Sequence, residues 1–326
     1  MKKNLYIGIN FFILMFLFSF SGFSIKVETV EVQTLSPPER LIKIPSDTTN
    51  IAIVAVLHNN IANDSLRMID SVAIASMAMA VKTNLEDSPQ YDSYIFPVFT
   101  INEERQPGSK LTTEQLQDIK ESSGANYLIS IEQFNNRYTS NLVHGASLGA
   151  IVDYLKIQIH YNAWIRIYET TTMNVIDERN YIDSLTLMVE VAPVRSAVAI
   201  PTTKIIQLVC QEVGKFYSNE IASYWKSEER MFYTNARMNK ATDYAYDMQW
   251  SKAMEIWGSY VNSTNVKTAA AANFNMALGC EMLGEYDLAL EWLNNAKRLN
   301  SSFYSETYEN IIKKRISDKE HIDKLL

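Results

Sequence analysis

An internal repeat in the last third of the chain constrains the fold more than any other feature. The segments Trp250–Trp257 and Tyr286–Leu293 superpose with Ala253 on Ala289, which is an offset of 36 residues. Tetratricopeptide units are about 34 residues long and fold as helical hairpins, so two additional residues between the copies account for the difference. The repeat therefore predicts two stacked helical hairpins at the end of the chain.

The second copy of this repeat is the better one. Ala277 and Ala296 are small residues at positions where two helices must approach closely, and Gly284 is placed to end the first helix. The first copy, residues 234–267, is degenerate, and residues 302–317 are predicted to form a further helix that caps the stack. Because helical repeats need about three copies for independent stability, we expect this tail to lean on the domain before it.

The segment before the repeat, residues 25–230, predicts alternating strands and helices. Ile51–Leu57 is an unbroken apolar run, which is typical of a strand covered on both faces, and residues 66–85 follow it with helical spacing. Thr112 and Gln115 fit a capping box, in which each side chain satisfies a free backbone amide at the start of a second helix.

A long alternating strand follows at residues 154–169, with apolar side chains on one face and polar side chains on the other. Residues 175–187 are predicted to return antiparallel to it as a hairpin. The predicted fold class is therefore a mixed-sheet α/β domain at residues 25–230, followed by an all-α tail of tetratricopeptide-like hairpins with a capping helix at residues 231–326.

The first 24 residues have the pattern of a secretory signal. Lys2 and Lys3 precede the apolar run Leu5–Phe20, and small residues follow it up to a cleavage point after Ser24. The run is long for a cleaved signal, so an uncleaved membrane anchor is the alternative. Either form predicts an exported protein that is periplasmic or associated with the outer membrane.

The net charge limits the classes of binding partner, and the cysteine content limits the possible disulfides. The formal net charge is -7 with no long basic block, which argues against nucleic acid because phosphate binding needs a clustered basic surface. Cys210 and Cys280 both lie in helical patterns. A disulfide between them is one interpretation in an oxidising compartment, and two separate buried thiols are the other, favoured one.

Three segments together with the repeat resemble a known group of proteins. Gly124–Phe134, Tyr161–Tyr168 and Ile221–Trp225 resemble exported proteins of Bacteroidota, often lipoproteins, that form an uncharacterised family. The front half is more loosely similar to the periplasmic α/β domains of the Tol translocation protein and the curli secretion channel. The resemblance implies no activity and no functional residue. Lipoproteins carry a cysteine after the signal, where Ser21 and Ser24 lie here, so a lipid anchor is doubtful.

Candidate catalytic residues are few. None of the four histidines has a histidine or cysteine partner at metal-ligand spacing, so neither a metal nor a cofactor is predicted. Glycine-rich Gly145–Gly149 lacks the lysine of a phosphate loop, and Glu103–Arg105 is interpreted as a solvated loop. His160, beside Arg166 and Tyr168 on the polar face of the long strand, is either part of a recognition patch or simply solvated, and the second interpretation is favoured.

One small polar site is predicted at the end of the first buried strand. His58 follows this strand at its carboxyl end, where open α/β sheets bind ligands, and Asn59, Asn60 and Asp64 come next. The alternative interpretation is an ordinary capped loop without a ligand.

The other candidate surface is the concave face of the tail, formed by the first helix of each hairpin. Such faces hold extended peptides or partner helices. The predicted binding residues on these helices are Asn239, Asp243, Asn273, Asn275, Met276 and Cys280. In so short a stack, the alternative is that the chain's own helices fill the groove.

These patterns predict a non-catalytic, exported adaptor or scaffold that binds a protein or peptide partner through the tail. The alternatives are a structural subunit of an envelope or secretion assembly, and an enzyme that uses the loop after Leu57.

Overall fold

The computed structural model describes residues 25–40, 42, 50–91, 94–147, 150–191 and 201–325, so the predicted signal segment lies outside the described residues. The chain forms two compact units. Pro37–Tyr224 make up the first, called here the mixed-sheet unit, and Trp225–Lys324 with the strand that ends at Ser36 make up the second, the helical unit.

The helices and strands are, in chain order, β1 (Lys26–Ser36), β2 (Ile51–His58), α1 (Asp64–Glu86), β3 (Val98–Glu103), α2 (Thr113–Ser123), β4 (Tyr127–Ser147), β5 (Ala150–Glu169), β6 (Asn174–Val191), α3 (Thr202–Ile221), β7 (Tyr224–Thr234), α4 (Asn239–Tyr246), α5 (Trp250–Gly258), α6 (Val266–Met282), α7 (Tyr286–Leu299) and α8 (Glu306–Ile322). Short 3-10 turns lie at Pro89–Tyr91 and Ser301–Phe303.

The mixed-sheet unit is built on five strands in the order β3-β2-β4-β5-β6. β2 runs parallel to both β3 and β4, and β4, β5 and β6 run antiparallel to one another. Ile53 and Ile165 belong to the core on the face covered by α1 and α3, whereas Val54 and Leu128 belong to the core on the face covered by α2. Burial on both faces explains why β2 is an unbroken apolar run.

Local sequence signals fix the ends and the packing of the helices. The Thr112 hydroxyl accepts a hydrogen bond from the Gln115 amide and the Gln115 side chain completes the capping box, while Gly124 ends α2 with φ +67°. At Gly214 of α3, a Cβ atom would lie 2.8 Å from the Ala80 Cβ atom. The glycine therefore allows α3 to pack closely on α1.

The helical unit is a stack in which α4 packs on α5, α5 on α6, α6 on α7 and α7 on α8. The small side chains Ala253, Ala277, Ala289 and Ala296 are fully buried, as the repeat predicts. Together with the mixed sheet, this helical region confirms the predicted fold class.

β1 and β7 form a two-stranded sheet within the helical unit. The sequence pattern instead predicts a single domain at residues 25–230. The difference arises because the two strands are far apart in the chain, and local periodicity carries no information on which distant strand a segment joins.

The two cysteines, Cys210 and Cys280, are free and buried, in agreement with the interpretation as separate thiols. Among the described helices, none has the length and apolar character needed to cross a membrane.

Candidate functional site on the mixed sheet

A β-bulge in β4 organises the polar residues of the sheet. Ile131 pairs with Ile165, but Gln133 pairs with Trp164, so Glu132 is an extra residue in the strand. Both Glu132 and Gln133 therefore lie on the face that α2 covers. Bulges are frequent next to binding and active sites because they redirect side chains in this way.

Glu132 is the centre of a buried polar network. Its side chain is fully buried and accepts hydrogen bonds from the Arg166 guanidinium and from the Tyr168 hydroxyl, the latter at 2.6 Å. Arg166 also donates through Nε to Glu178 Oε2 at 2.7 Å. Burial raises the pKa of the Glu132 carboxyl, although Tyr168 and Arg166 act in the opposite direction. These groups satisfy one another's hydrogen-bonding capacity and charge. They therefore stabilise the sheet rather than present reactive atoms.

The same network fixes the loop between β3 and α2. Arg166 Nη1 donates to the Gly108 carbonyl at 2.9 Å, and the Leu111 amide donates to the Tyr168 hydroxyl at 3.0 Å. Gly108 has φ +81°, and a Cβ atom there would lie 2.6 Å from Gln133 Oε1. The loop therefore crosses closely over the bulge, and the positive φ of Gly108 favours glycine at this position.

Glu103, at the end of β3, is buried and anchors the start of this loop. Its Oε1 atom accepts hydrogen bonds from the Glu104 and Arg105 amides, each at 2.9 Å, and its Oε2 atom accepts from the Arg105 guanidinium and from Gln115 Nε2. The solvated-loop interpretation is therefore wrong for Glu103. The hydrogen bond from Arg105 holds the pKa of Glu103 at about 2.

We expect Glu103 to make stability depend on pH. Because its folded-state pKa is below the ordinary value of 4.5, its contribution is present above that value and is lost as the pH falls toward about 2. Hydrogen exchange of β3 and α2, measured from neutral to acid pH, should show a shallower loss of protection in Glu103→Gln than in the unmodified protein. Glu114→Gln, at an exposed position of α2, serves as control. Equal pH profiles for Glu103→Gln and the unmodified protein would contradict this assignment.

Beyond the bulge, the same face of the sheet is open. Asn135 pairs with Asn162, and Arg137 pairs with His160. A cavity of about 530 Å³ is lined by Asn135, Asn136, Arg137, His160, Tyr161 and Asn162. In the part of the chain that the structure describes, the buried Asn162 Oδ1 atom has no hydrogen-bond partner.

The predicted polar site after β2 is not assembled from the predicted residues. His58 is only 1% exposed, and its Nδ1 atom lies 3.1 Å from Asp70 Oδ2 of α1. Asp64 is exposed and pairs with Arg67, and the cap of α1 is the side chain of Asn63. The structure therefore shows a buried His58–Asp70 pair at this position. Asp70 carries no signal in the sequence beyond being an acid within an apolar helical stripe.

The predicted binding residues of the tail are only partly accessible. Asn239 and Asp243 are exposed, Met276 is half-buried, and Asn273 and Cys280 are buried. The expectation that the last two face a partner is corrected by the structure. They are buried because α6 is the central helix of the stack, with neighbours on several sides.

The groove along α6 holds β7 of the same chain. Asn275 donates from Nδ2 to the Tyr233 carbonyl at 2.6 Å and accepts from the Tyr233 amide at 2.8 Å. Arg230 donates from Nη2 to Glu281 Oε1 at 2.8 Å, and both side chains are buried. The tail groove is thus filled by the chain itself, but by a strand rather than by the helices that the sequence suggests as the alternative occupants.

Two family models match the chain in succession. A domain of unknown function, DUF8603, matches residues 41–233. The chain belongs to this family. A second domain of unknown function, DUF6340, matches residues 239–317. The uncharacterised family that the resemblance implies is consistent with both matches, and a search of curated proteins finds no match.

Among solved structures, the chain is similar to one described as a neuraminyllactose-binding hemagglutinin homolog from Helicobacter pylori. The identity is 13%, the match covers 55% of this chain and 86% of that chain, and the TM-score is 0.31. A likeness of that degree carries no argument about what this chain does.

Proposed function

We propose that this chain is a non-catalytic scaffold protein that holds a protein partner by adding a strand of the partner to the outer edge of β4. The observation that carries the proposal is an exposed and unprotected edge on this strand. β2 pairs with β4 only from Tyr127 to Ile131, and from Phe134 to His144 no strand of the described chain pairs with this edge.

The chemistry of this edge favours pairing with another chain. The side chains of Tyr138 and Leu142 are 41% and 56% exposed. The segment from Phe134 to His144 contains no proline, lysine or acidic residue, and Arg137 is its one arginine, against several charged side chains on β6. Proline and charged residues usually prevent association at a sheet edge. Extended peptides bind such edges through backbone hydrogen bonds, with side chains supplying specificity.

The opposite edge of the sheet differs in this respect. β6 carries Asp177, Glu178, Arg179 and Asp183. Asp177 also accepts from the Arg40 guanidinium at 2.8 Å. Charged residues protect an edge strand against pairing. We therefore assign the partner to β4 and not to β6.

The rest of the molecule supports a binding role rather than turnover. The buried acids Glu132, Glu103 and Glu281 are all held by arginines of the same chain. The tail groove is occupied by β7, which removes the binding mode predicted from the repeat alone. Export to the periplasm or outer membrane belongs to the same proposal, and the basic start and apolar run of the first 24 residues support it.

Site-specific photo-crosslinking tests the proposal. With a photoreactive residue in place of Leu142, envelope fractions should give one defined protein adduct, because this side chain flanks the proposed partner strand. The matched position is Leu288 of α7, an exposed leucine in the helical unit, which should give none. Leu142→Lys should abolish an adduct formed from a photoreactive residue at Ser140, whereas Leu288→Lys should leave it intact.

The identity of the adduct separates the alternatives. A foreign protein supports the adaptor role, and a second copy of this chain supports a structural subunit of an assembly. No adduct from position 142, or an equal yield from position 288, would contradict the assignment to β4.

A further inference from the structure

The face of the sheet opposite Leu142 has a charge pattern that the scaffold proposal does not use. This open polar face comprises the positions of Gln133–Asn141 on β4, Lys156–Trp164 on β5 and Asn180–Met188 on β6 that share a side by strand register. It carries Arg137, Lys156 and His160 and no acidic residue, in a chain whose net charge is -7.

These groups lie along one face, with Lys156 about 13 Å from the pair formed by Arg137 and His160. Arg137 is directly opposite His160 on the neighbouring strand, and Lys156 lies four residues before His160 on the same face. The nearest acid along the face, Glu178, is engaged by Arg166 at 2.7 Å. The guanidinium of Arg137 and the ammonium of Lys156 have no free acid beside them on this face, so an anion that bridges them is favoured.

Most of the other side chains of the face are amides and hydroxyls, and the exposed apolar side chains Ile182 and Met188 lie along its β6 border. Asn135, Gln158 and Asn162 both donate and accept hydrogen bonds, which suits ligands that are rich in hydroxyl groups. Asn162 Oδ1 is buried without a partner among the described residues, so it lacks a donor that a ligand hydroxyl supplies. The cavity of about 530 Å³, whose lining includes Asn135 and Asn162, is large enough to receive such a group.

The dimensions of the face indicate a polymer rather than a small molecule. Three strands spaced by about 4.8 Å, with nine residues at about 3.4 Å each, give a surface of roughly 10 by 30 Å. From charge, amide content and extent together, we propose that the open polar face binds an acidic polysaccharide, with Arg137 and Lys156 contacting carboxylates and the amides contacting hydroxyls.

Nucleic acid fits this face less well. Binding of single strands relies on a row of exposed aromatic rings for base stacking. The ring of Trp164 instead packs under the Arg166 guanidinium, whose Cζ atom lies 4.7 Å from the ring centroid.

Binding of a fluorescently labelled oligogalacturonate to the purified full chain, followed by anisotropy, tests this site. We expect binding that weakens with salt and that is absent for the methyl-esterified form of the same oligosaccharide, which keeps the hydroxyls and lacks the charges. Arg137→Gln should weaken binding about tenfold, because it removes a charge-assisted hydrogen bond from an exposed side chain without disturbing the core.

The matched control is Lys267→Gln, which removes an exposed positive charge from the helical unit and should leave the affinity unchanged. The proposal is overturned by an absence of binding, by equal affinity for the methyl ester, or by an unchanged affinity of Arg137→Gln. Tighter binding of an oligonucleotide of equal charge would also overturn it, because the face would then be a general polyanion surface. None of these outcomes depends on the partner of β4.

Discussion

Replacing Arg230 by methionine is expected to destabilise the helical unit by about 3–5 kcal/mol, because it leaves the carboxylate of Glu281 buried without its main positive partner. Glu281 is fully buried, and Arg230 contacts both of its oxygen atoms, at 2.8 Å and 3.1 Å. Tyr308 donates a further hydrogen bond to it at 2.8 Å, and Arg315 Nε lies 4.0 Å from Oε1. Neither the neutral hydroxyl nor a cation at that distance replaces the two contacts from Arg230.

Tryptophan fluorescence during urea unfolding measures this effect. Trp225, Trp250, Trp257 and Trp292 lie in the helical unit, and Trp164 is the remaining tryptophan of the chain, so the signal reports mainly on the helical unit. The double variant with Arg230→Met and Glu281→Met should recover part of the loss, because the carboxylate of Glu281 is then absent, although Arg315, at 4.0 Å from Glu281, loses that acid. A single variant as stable as the unmodified protein would show that the pair does not hold β7 on α6.

Arg166→Met is expected to have an effect of similar size on the mixed-sheet unit, about 3–5 kcal/mol. Arg166 is the cation beside the fully buried Glu132, and it also holds the Gly108 carbonyl at 2.9 Å. Its removal leaves the buried Glu132 carboxyl with the neutral Tyr168 hydroxyl and without a cation, and this further favours the protonated form of a carboxyl whose pKa burial already raises. The loop over the bulge loses its anchor at the same time.

Hydrogen exchange is the appropriate measurement, because protection can be followed separately in β2, β4 and the loop. Arg166→Met should lower protection across all three, whereas Glu132→Gln should be much milder, since the amide still accepts from the Tyr168 hydroxyl. Loss of protection confined to the loop in Arg166→Met would show that the network fixes the loop but does not support the sheet.

The local features of this chain could be predicted from its sequence. The apolar run of β2 gives a doubly covered strand, and the strict alternation of β5 gives its two faces. Thr112, Gln115 and Gly124 set the limits of α2. Each of these depends on residues within one or two turns, or on the period of one strand, so single-sequence patterns are sufficient to indicate them.

The burial of residues on the polar face of β5 is a feature that such patterns do not predict. Alternation correctly places Arg166 and Tyr168 on the side away from the α1 and α3 core, but it predicts that they are solvated. They are buried because the loop after β3 crosses them, and its crossing point is set by the bulge at Glu132. A bulge requires no unusual amino-acid composition and shifts the alternation of the strand by a single residue. It is therefore almost undetectable in the sequence.

The occupant of the tail groove is likewise set by tertiary contacts and not by a local sequence pattern. The sequence by itself determined the stacked helical hairpins, because small residues at a fixed period pack in only a few ways. Only the tertiary structure decided that β7 lies along α6, through Asn275 and the pair of Arg230 with Glu281. The physical reason is that the hairpins arise from contacts between neighbouring segments, whereas the groove is filled by contacts across about fifty residues of chain, which no local period encodes.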